Sequence, residues 1–462
     1  MAFAFSSPID SREHARLPAR AAACPRPGTG TRLRPPRARA LVDWLAAALS
    51  VALASSSVQA EDAPLQWWKG NLHTHSFWSD GDDFPEMIVD WYNGNGYSFL
   101  AISDHNVLQQ AERWLSIGTN QTRAAALQKY LTRFGPGWVE TRSKNTNQEV
   151  RLKPLSEYRS LFDQAGRFLL IASEEISDQY KNIPIHLNAT NLRDHIPAQG
   201  GDSVREVMQN NVDAVLYQRR NTGQSMIPHL NHPNFHWGVT AEDLARVRGE
   251  RFFEVYNGHP AVNDPGDATH PSTDRLWDIA LALRLSSGEP EPLYAVAVDD
   301  AHNYHETGGK FSNAGRGWIM VRARHLTPES LIRALERGDF YASSGVSLLD
   351  VTATSEQLAL HIAPQVGIRF RTQFIGTRRG FDQQSEPVRN KEGVILPVTH
   401  RYSNQVGEIL AEVEGLDPTY HFRGNELYVR ARVVSSKAKA NAVHEDEKEC
   451  AWTQPVIPAA KD

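Results

Sequence analysis

Cysteine is nearly absent, with two in 462 residues. That leaves no basis for a disulfide framework or a thiolate-ligated zinc fold. Basic charge is not in excess either. A formal net charge of -5 argues against a nucleic-acid scaffold, whose affinity would rest on Lys and Arg neutralising phosphates. The short apolar run Leu45–Ala54 falls well below the roughly 20 residues needed to cross a bilayer. Internal repeats and coiled-coil heptads are missing, which sets aside solenoids and long helical zippers. What the chain does have is histidine, 18 residues of it, within a composition that is 40% hydrophobic and 22% charged. Such a chain buries a core, and its scarce thiols make His, Asp and Glu the natural metal donors.

Residues 1–60 read as a secretory signal peptide. A basic, Arg- and Pro-rich region precedes the apolar run, and Val58-Gln59-Ala60 follows as a small-x-small cleavage site. The expectation is therefore a secreted or periplasmic protein with no transmembrane anchor in the mature chain. The eight Arg of this segment outweigh Asp10, Glu13 and Asp43 by five, so the mature chain carries -10. Cys24 leaves with the leader, and Cys450 remains alone in a polar tail.

From about residue 68 to 345, short apolar runs alternate with helical stretches. Predicted strands are Ser98–Ser103, Phe168–Ser173, Met226–Leu230, Phe252–Tyr256, Leu293–Val298 and Trp318–Val321. Predicted helices include Pro85–Asn93 and Ser272–Leu285, and Thr327-Pro328 supplies an N-cap and first-turn proline for another. This alternation specifies an α/β fold with a parallel sheet or (β/α) barrel. The polar stretch Thr141–Gln148 is expected to be a loop. After Gly345 the pattern becomes strand and turn, which predicts a small β-sandwich-like domain over 348–435 behind a barrel over 61–347. Residues 436–462 are polar and are expected to form a disordered tail.

Five short segments carry the chemistry. His73-Thr74-His75 places two imidazoles on one side of an extended chain, and the Gly81 turn can return Asp80 toward them. Asp104-His105, Glu174-Glu175 and Asp299-Asp300-Ala301-His302 each follow a predicted strand, where barrels gather functional groups. His186 and His229-Leu230-Asn231-His232 complete the set. Taken singly, each has an ordinary reading as a cap, turn or core residue. Together they offer more nitrogen and oxygen ligands than one ion needs, so two or three divalent ions are expected: Mn, Zn or Fe.

In motif order and spacing these segments resemble the PHP (polymerase and histidinol phosphatase) family of metallohydrolases. The stretch Ala334-Leu335-Glu336-Arg337-Gly338-Asp339-Phe340-Tyr341, with the β-rich part behind it, resembles the exported carbaryl-hydrolase-like branch. The resemblance implies a distorted (β/α)7 barrel with a three-metal site. It implies that His73, His75, Glu175 and Asp300 hold one ion and that Glu175, His186 and His232 hold a second. Asp80, His105 and His302 would hold a third. Glu174, Asp299 and His229 remain alternatives to Glu175, Asp300 and His232.

Clustered divalent ions lower the pKa of a bridging water from 15.7 to roughly 7 and neutralise charge on the attacked oxygen. The leading expectation is a phosphoesterase acting on a small anionic or phosphorylated substrate, with Asp300, His302 and Glu175 as catalytic residues. A carbamate, ester or amide hydrolase would use the same ions, and a noncatalytic ligand-binding barrel is the alternative of another class. Glu254, Asn257 and His259 would line the substrate pocket. Lys310 and Arg316 would hold a phosphate, Arg through its two-pronged fork.

Overall fold

A computed structural model of the chain describes residues 63–289 and 291–460. The expected signal peptide, with Cys24, lies outside the described residues. Among those described, no helix is long and apolar enough to cross a membrane.

Two sheets frame the fold. The larger has nine strands, in the order Glu408–Glu414, Phe370–Arg378, Glu426–Ala438, Lys448–Thr453, Phe340–Ser343, Trp318–Ala323, Gln66–Asn71, Phe99–Leu100 and Leu169–Leu170. The smaller has five: Tyr294–Val298, Phe252–Asn257, Ile227–Leu230, Ile183–Thr190 and Ser173–Tyr180. The expected strands near 99, 169, 227, 252, 294 and 318 are all present, shorter or longer by a few residues. Phe253, Val255, Ala295 and Ala297 are fully buried, as apolar strands covered on both faces should be. The helix Pro328–Glu336 begins as expected, with the Thr327 side chain accepting from the Ser330 N–H.

The result is a mixed α/β architecture in which the ladders of the described residues form two main sheets and no closed barrel. The strands Ser173–Tyr180 and Ile183–Thr190 form an antiparallel hairpin instead of a βαβ unit, because only Lys181 and Asn182 connect them. The two sheets meet through isolated parallel bridges, Thr74 with Ala301 and His105 with Glu175. Both bridges run through candidate ligands or their neighbours, so the seam between the sheets is where the site forms.

Three expectations for loops and tail are corrected. Thr141–Lys144 and Asn147–Leu152 form a hairpin turned at Asn145-Thr146, both at positive φ. Residues 436–462 are not a disordered tail over their described length. Lys448–Thr453 is a strand between Phe340–Ser343 and Glu426–Ala438, and Cys450 and Trp452 are buried there. The β-rich part has a core of its own, in which Leu358, Phe370, Phe374 and Val433 pack between the large sheet and a three-stranded one. Its strands nonetheless extend the sheet that contains Gln66–Asn71, so the boundary expected at 347 crosses continuous hydrogen bonding.

Candidate metal centre

The loop after Gln66–Asn71 carries the first ligands. His73 and His75 are wholly buried. The Gly81 N–H donates to the Ser76 carbonyl, closing the turn that brings Asp80 back. A Cβ on Gly81 would sit 2.5 Å from the His75 backbone, so the turn requires glycine. The Asp104 carboxylate locks the same loop by accepting from Ser76 N–H and from the Ser76 and Ser79 hydroxyls.

Glu175 sits at the centre. Its Oε1 is 3.0 Å from His186 Nδ1 and 3.5 Å from both His73 Nε2 and His232 Nε2. Its Oε2 is 2.7 Å from His105 Nδ1 and 3.4 Å from His75 Nε2. Asn231 donates to Oε1 at 2.7 Å and orients the carboxylate. Asp300 supplies the second shared carboxylate, with Oδ1 3.2 Å from His73 Nε2 and 3.1 Å from His75 Nε2. It does so at φ 48°, a left-handed conformation that costs a non-glycine residue free energy and is typical of functional positions. At the mouth, Asp80 lies 3.3 Å from His302 Nε2 and 3.6 Å from His105 Nε2. The His75 ring stacks between His302 and His105.

All nine residues named as ligands are therefore brought together. Ligand-bearing atoms converge in groups, among them His75–Asp80–His105–His302, His73–His75–Glu175, His73–His232–Asp300 and His105–Glu175–His186. Glu174 and Glu175 separate by strand alternation, and Asp299 and Asp300 by the left-handed turn at Asp300 just past the strand Tyr294–Val298. Glu174 points away and pairs with His195 and the Ile196 N–H. Asp299 accepts the backbone N–H groups of Gly315, Arg316 and Gly317 and the Tyr92 hydroxyl.

The donor set fits divalent cations. Burial alone would push the His73 imidazole down, but the carboxylates of Asp300, Glu254 and Glu175 raise it well above its ordinary value. Burial opposes ionisation of Glu175, yet the facing His105, His73 and His186 hold it well below the usual carboxylate range. Burial and the neighbouring His302 and His105 depress His75 to about 3. His73 Nε2 is buried with no hydrogen-bond partner, although it faces two carboxylates. A cation at that point would replace the imidazole proton as the positive charge between the two carboxylates.

Of the substrate-contact expectations, those for Glu254 and Arg316 are corrected. Glu254 is completely buried and accepts from His73 Nδ1 at 2.7 Å, His229 Nε2 at 3.3 Å, the His232 N–H at 2.7 Å and Asn257 Nδ2 at 2.8 Å. It has no capacity left for a substrate. It holds the proton on His73 Nδ1, so that Nε2 would be the nitrogen left to ligate an ion. Burial raises the Glu254 pKa, but the two imidazoles prevail and hold it at about 2. His229 belongs to this support as Glu254's other imidazole partner. Arg316 is also fully buried, and its guanidinium donates to the carbonyls of Gly258, Phe311, Asn441 and Gly308. No fork remains for a phosphate. Lys310 is exposed, with its ammonium over the Phe311 ring. Only His259 stays beside the cluster and half-buried, its ring centroid 5.4 Å from His302.

Sequence reasoning missed the roles of Asn231 and Ser177, and it read Asn257, with Glu254 and His259, as lining the substrate pocket. Asn257 donates to Asp300 Oδ2 at 3.1 Å, and Ser177 Oγ lies 2.5 Å from His105 Nδ1. The asparagines sit inside segments already singled out, whereas nothing in the sequence marks Ser177.

No protein-family model matches the chain, and no curated protein matches it. Among solved structures it is similar to a two-domain protein from Bacteroides vulgatus that contains a predicted PHP-like metal-dependent phosphoesterase. That match has a TM-score of 0.35 and 14% identity, covering 84% of this chain and 95% of that one. A protein from Bifidobacterium adolescentis described as a metal-dependent phosphoesterase matches with a TM-score of 0.27 and 14% identity, over 50% of this chain and 87% of that one. At such scores the functional reading rests on the residues themselves.

Proposed function

We propose that this chain is an exported metal-dependent phosphoesterase of PHP type, with two or three Mn, Zn or Fe ions held by His73, His75, Asp80, His105, Glu175, His186, His232, Asp300 and His302. The observation that carries the reading is the buried His73 Nε2 facing the shared carboxylates of Glu175 and Asp300. When bound, clustered divalent ions supply Lewis acidity and an acidified water, the combination used in phosphoryl transfer to water.

The residues divide the remaining work. Glu254 fixes the His73 tautomer, and Asn231 aims Glu175. His302 Nδ1 donates to the Asp300 carbonyl at 2.9 Å, which leaves Nε2 as a lone pair facing Asp80. Asp300 Oδ2, steadied by Asn257, is the oxygen that takes the proton of the attacking water. The buried imidazole floor keeps bulk water out, and the mouth opens at Asp80, whose side chain is 57% exposed.

The test uses purified residues 61–462. Metal content is measured together with turnover of a chromogenic phosphomonoester, a phosphodiester and an aryl carbamate, each with and without chelator. Two to three equivalents of metal and chelator-sensitive phosphoester turnover support the reading. Metal with carbamate turnover alone moves the assignment to the other hydrolase class. Less than one equivalent, unchanged by reconstitution and by His75→Ala, rejects the metallohydrolase. Asp300→Asn keeping both metal and full activity rejects the proton role of Asp300.

A further inference from the structure

Beside the cluster lies a cavity of about 770 Å³, lined by Ser79 and Asp80 from the ligand loop, Asn303 next to His302, and Arg113, Gln121 and Arg123 from the segment between His105 and Glu175. It shares the exposed Asp80 with the mouth of the metal centre. The cavity therefore opens directly beside the ligands.

The arginines of that segment differ in a telling way. Arg133 pairs with Asp90, Arg142 with Glu149, Arg151 with Glu140 and Glu157, and Arg159 with Asp163. Among the described residues, Arg113, Arg123 and Arg167 make no ion pair with a carboxylate, and of these three Arg113 and Arg123 line the cavity. Each is held by one hydrogen bond to a carbonyl, Arg113 Nη1 to Trp78 and Arg123 Nη1 to Ser116 at 2.9 Å. A guanidinium carries five N–H donors, so each is anchored and still has donors to offer an oxyanion. The neighbouring carboxylate of Asp82 is occupied by the Tyr304 N–H and Asn303 Nδ2. Glu306, also on the cavity wall, is exposed to solvent.

We infer that Arg113 and Arg123 form a second anion subsite, and that the natural substrate carries a further phosphate or carboxylate at a distance from the scissile phosphoester. This deepens the proposed function and rests on it for the position of the reacting group. It also supplies the substrate-binding arginine that Arg316 does not.

The test measures binding of nonhydrolysable probes by calorimetry, with Mn present. Alkane bisphosphonates with one to six methylenes are compared with alkylphosphonates of the same lengths. At one or more spacings the bisphosphonate is expected to bind wild type about tenfold tighter or more, the effect of at least one charge-assisted hydrogen bond. In the double variant R113Q/R123Q that gain disappears, while alkylphosphonate affinity changes by less than twofold. No gain at any spacing overturns the subsite, as does a gain that survives in R113Q/R123Q. Circular dichroism of the variant excludes misfolding as the cause of a loss, and single R113Q and R123Q proteins replace it should it fail to fold. Arginine-dependent bisphosphonate binding without Mn-dependent alkylphosphonate binding would leave the subsite standing and reject the phosphoesterase reading.

Discussion

Two buried ionic clusters in this molecule contrast sharply. Under the large sheet, the Arg430 guanidinium grips Asp278 with both prongs at 2.8 and 2.7 Å. The Tyr428 hydroxyl donates to the same carboxylate at 2.8 Å, and Trp277 lies against the guanidinium face. Arg430 Nη1 also faces a second carboxylate, Asp274, at 3.1 Å, so this cluster carries its own fixed cation among its acids. At the metal centre, several imidazoles crowd two carboxylates, His73 Nε2 has no partner, and Asp300 stands at positive φ. Imidazoles and carboxylates crowded in this way share their protons, and a divalent ion can replace those protons as the positive charge between them. A closed cluster, one that carries its own guanidinium, is structural, whereas an open one of imidazoles and carboxylates is suited to hold a cation.

The largest expected effect tests the closed cluster. Arg430→Ala leaves Asp278 charged and buried without its partner, which should cost about 3–5 kcal/mol in urea unfolding. Arg430→Met combined with Asp278→Leu should recover most of that loss, since a buried pair is often no better than apolar side chains of similar volume. Equal losses in the single and double variants would mean that the cluster's charge pairing contributes more than its shape.

Glu250 sharpens the comparison because it is an open carboxylate with no imidazoles around it. It is buried, its Oε1 accepts from the Phe252 N–H at 2.7 Å, and its Oε2 has no partner. Burial pushes its pKa from 4.5 up to about 8, against a smaller pull from the Phe252 N–H and Arg284. A carboxyl raised in the folded state contributes stability that is fully present below pH 4.5 and lost as pH rises through about 8. Wild type should therefore lose stability on the order of a few kcal/mol across that window relative to Glu250→Gln. Parallel stability–pH curves for the two proteins would contradict this. The same kind of acid is held well below its usual range at Glu175, so the imidazoles decide whether a buried acid takes a proton or stays available to a cation.

Much of the open cluster was legible in the sequence, because its ligands sit singly in short segments at strand ends where backbone direction places them. His73 and His75 are two residues apart, and Asp80 returns on a glycine turn. The duplicated acids could not be ranked from sequence, since Glu174 or Glu175 could face the centre until the strand's register was known. Glu254 looked like a pocket residue because its strand end resembles the others, and its partners come from residues 73, 229, 232 and 257, a set that no local pattern reveals. The Lys448–Thr453 strand was missed for the same reason. Its polar neighbours suggested a tail, while its pairing partners lie at 340–343 and 426–438. The hairpin over 141–152 escaped because its first strand is fully exposed and carries no alternation.

Glu254→Gln probes the open cluster from behind. The amide keeps the shape but weakens acceptance from the two imidazoles and frees the His73 tautomer. Partners of this kind typically contribute 10–100-fold in metal affinity, so Mn affinity by calorimetry should fall within that range while the fold persists. His229 would then lack its charged partner too, and a small additional loss of thermal stability is expected. Unchanged affinity would show that Glu254 is a packing group and that His73 finds its tautomer without help.

The smallest effect belongs to Lys310→Ala, and it separates charge near the site from charge within it. Lys310 follows Asp300-x-His302 closely in sequence, but its side chain is exposed over Phe311, 4.7 Å from ammonium to ring centroid. An exposed cation–π contact contributes about 0.5–1 kcal/mol at most, and surface substitutions usually stay within roughly 0.5 kcal/mol. Thermal stability should therefore move little, and kcat/KM on a phosphoester should change by less than about twofold. A drop comparable to that of an arginine in the neighbouring cavity would place Lys310 on the substrate path. It would mean that the loop from 303 to 313 closes toward the metal centre when substrate is present, which Arg316, tied to four carbonyls beneath that loop, would have to permit.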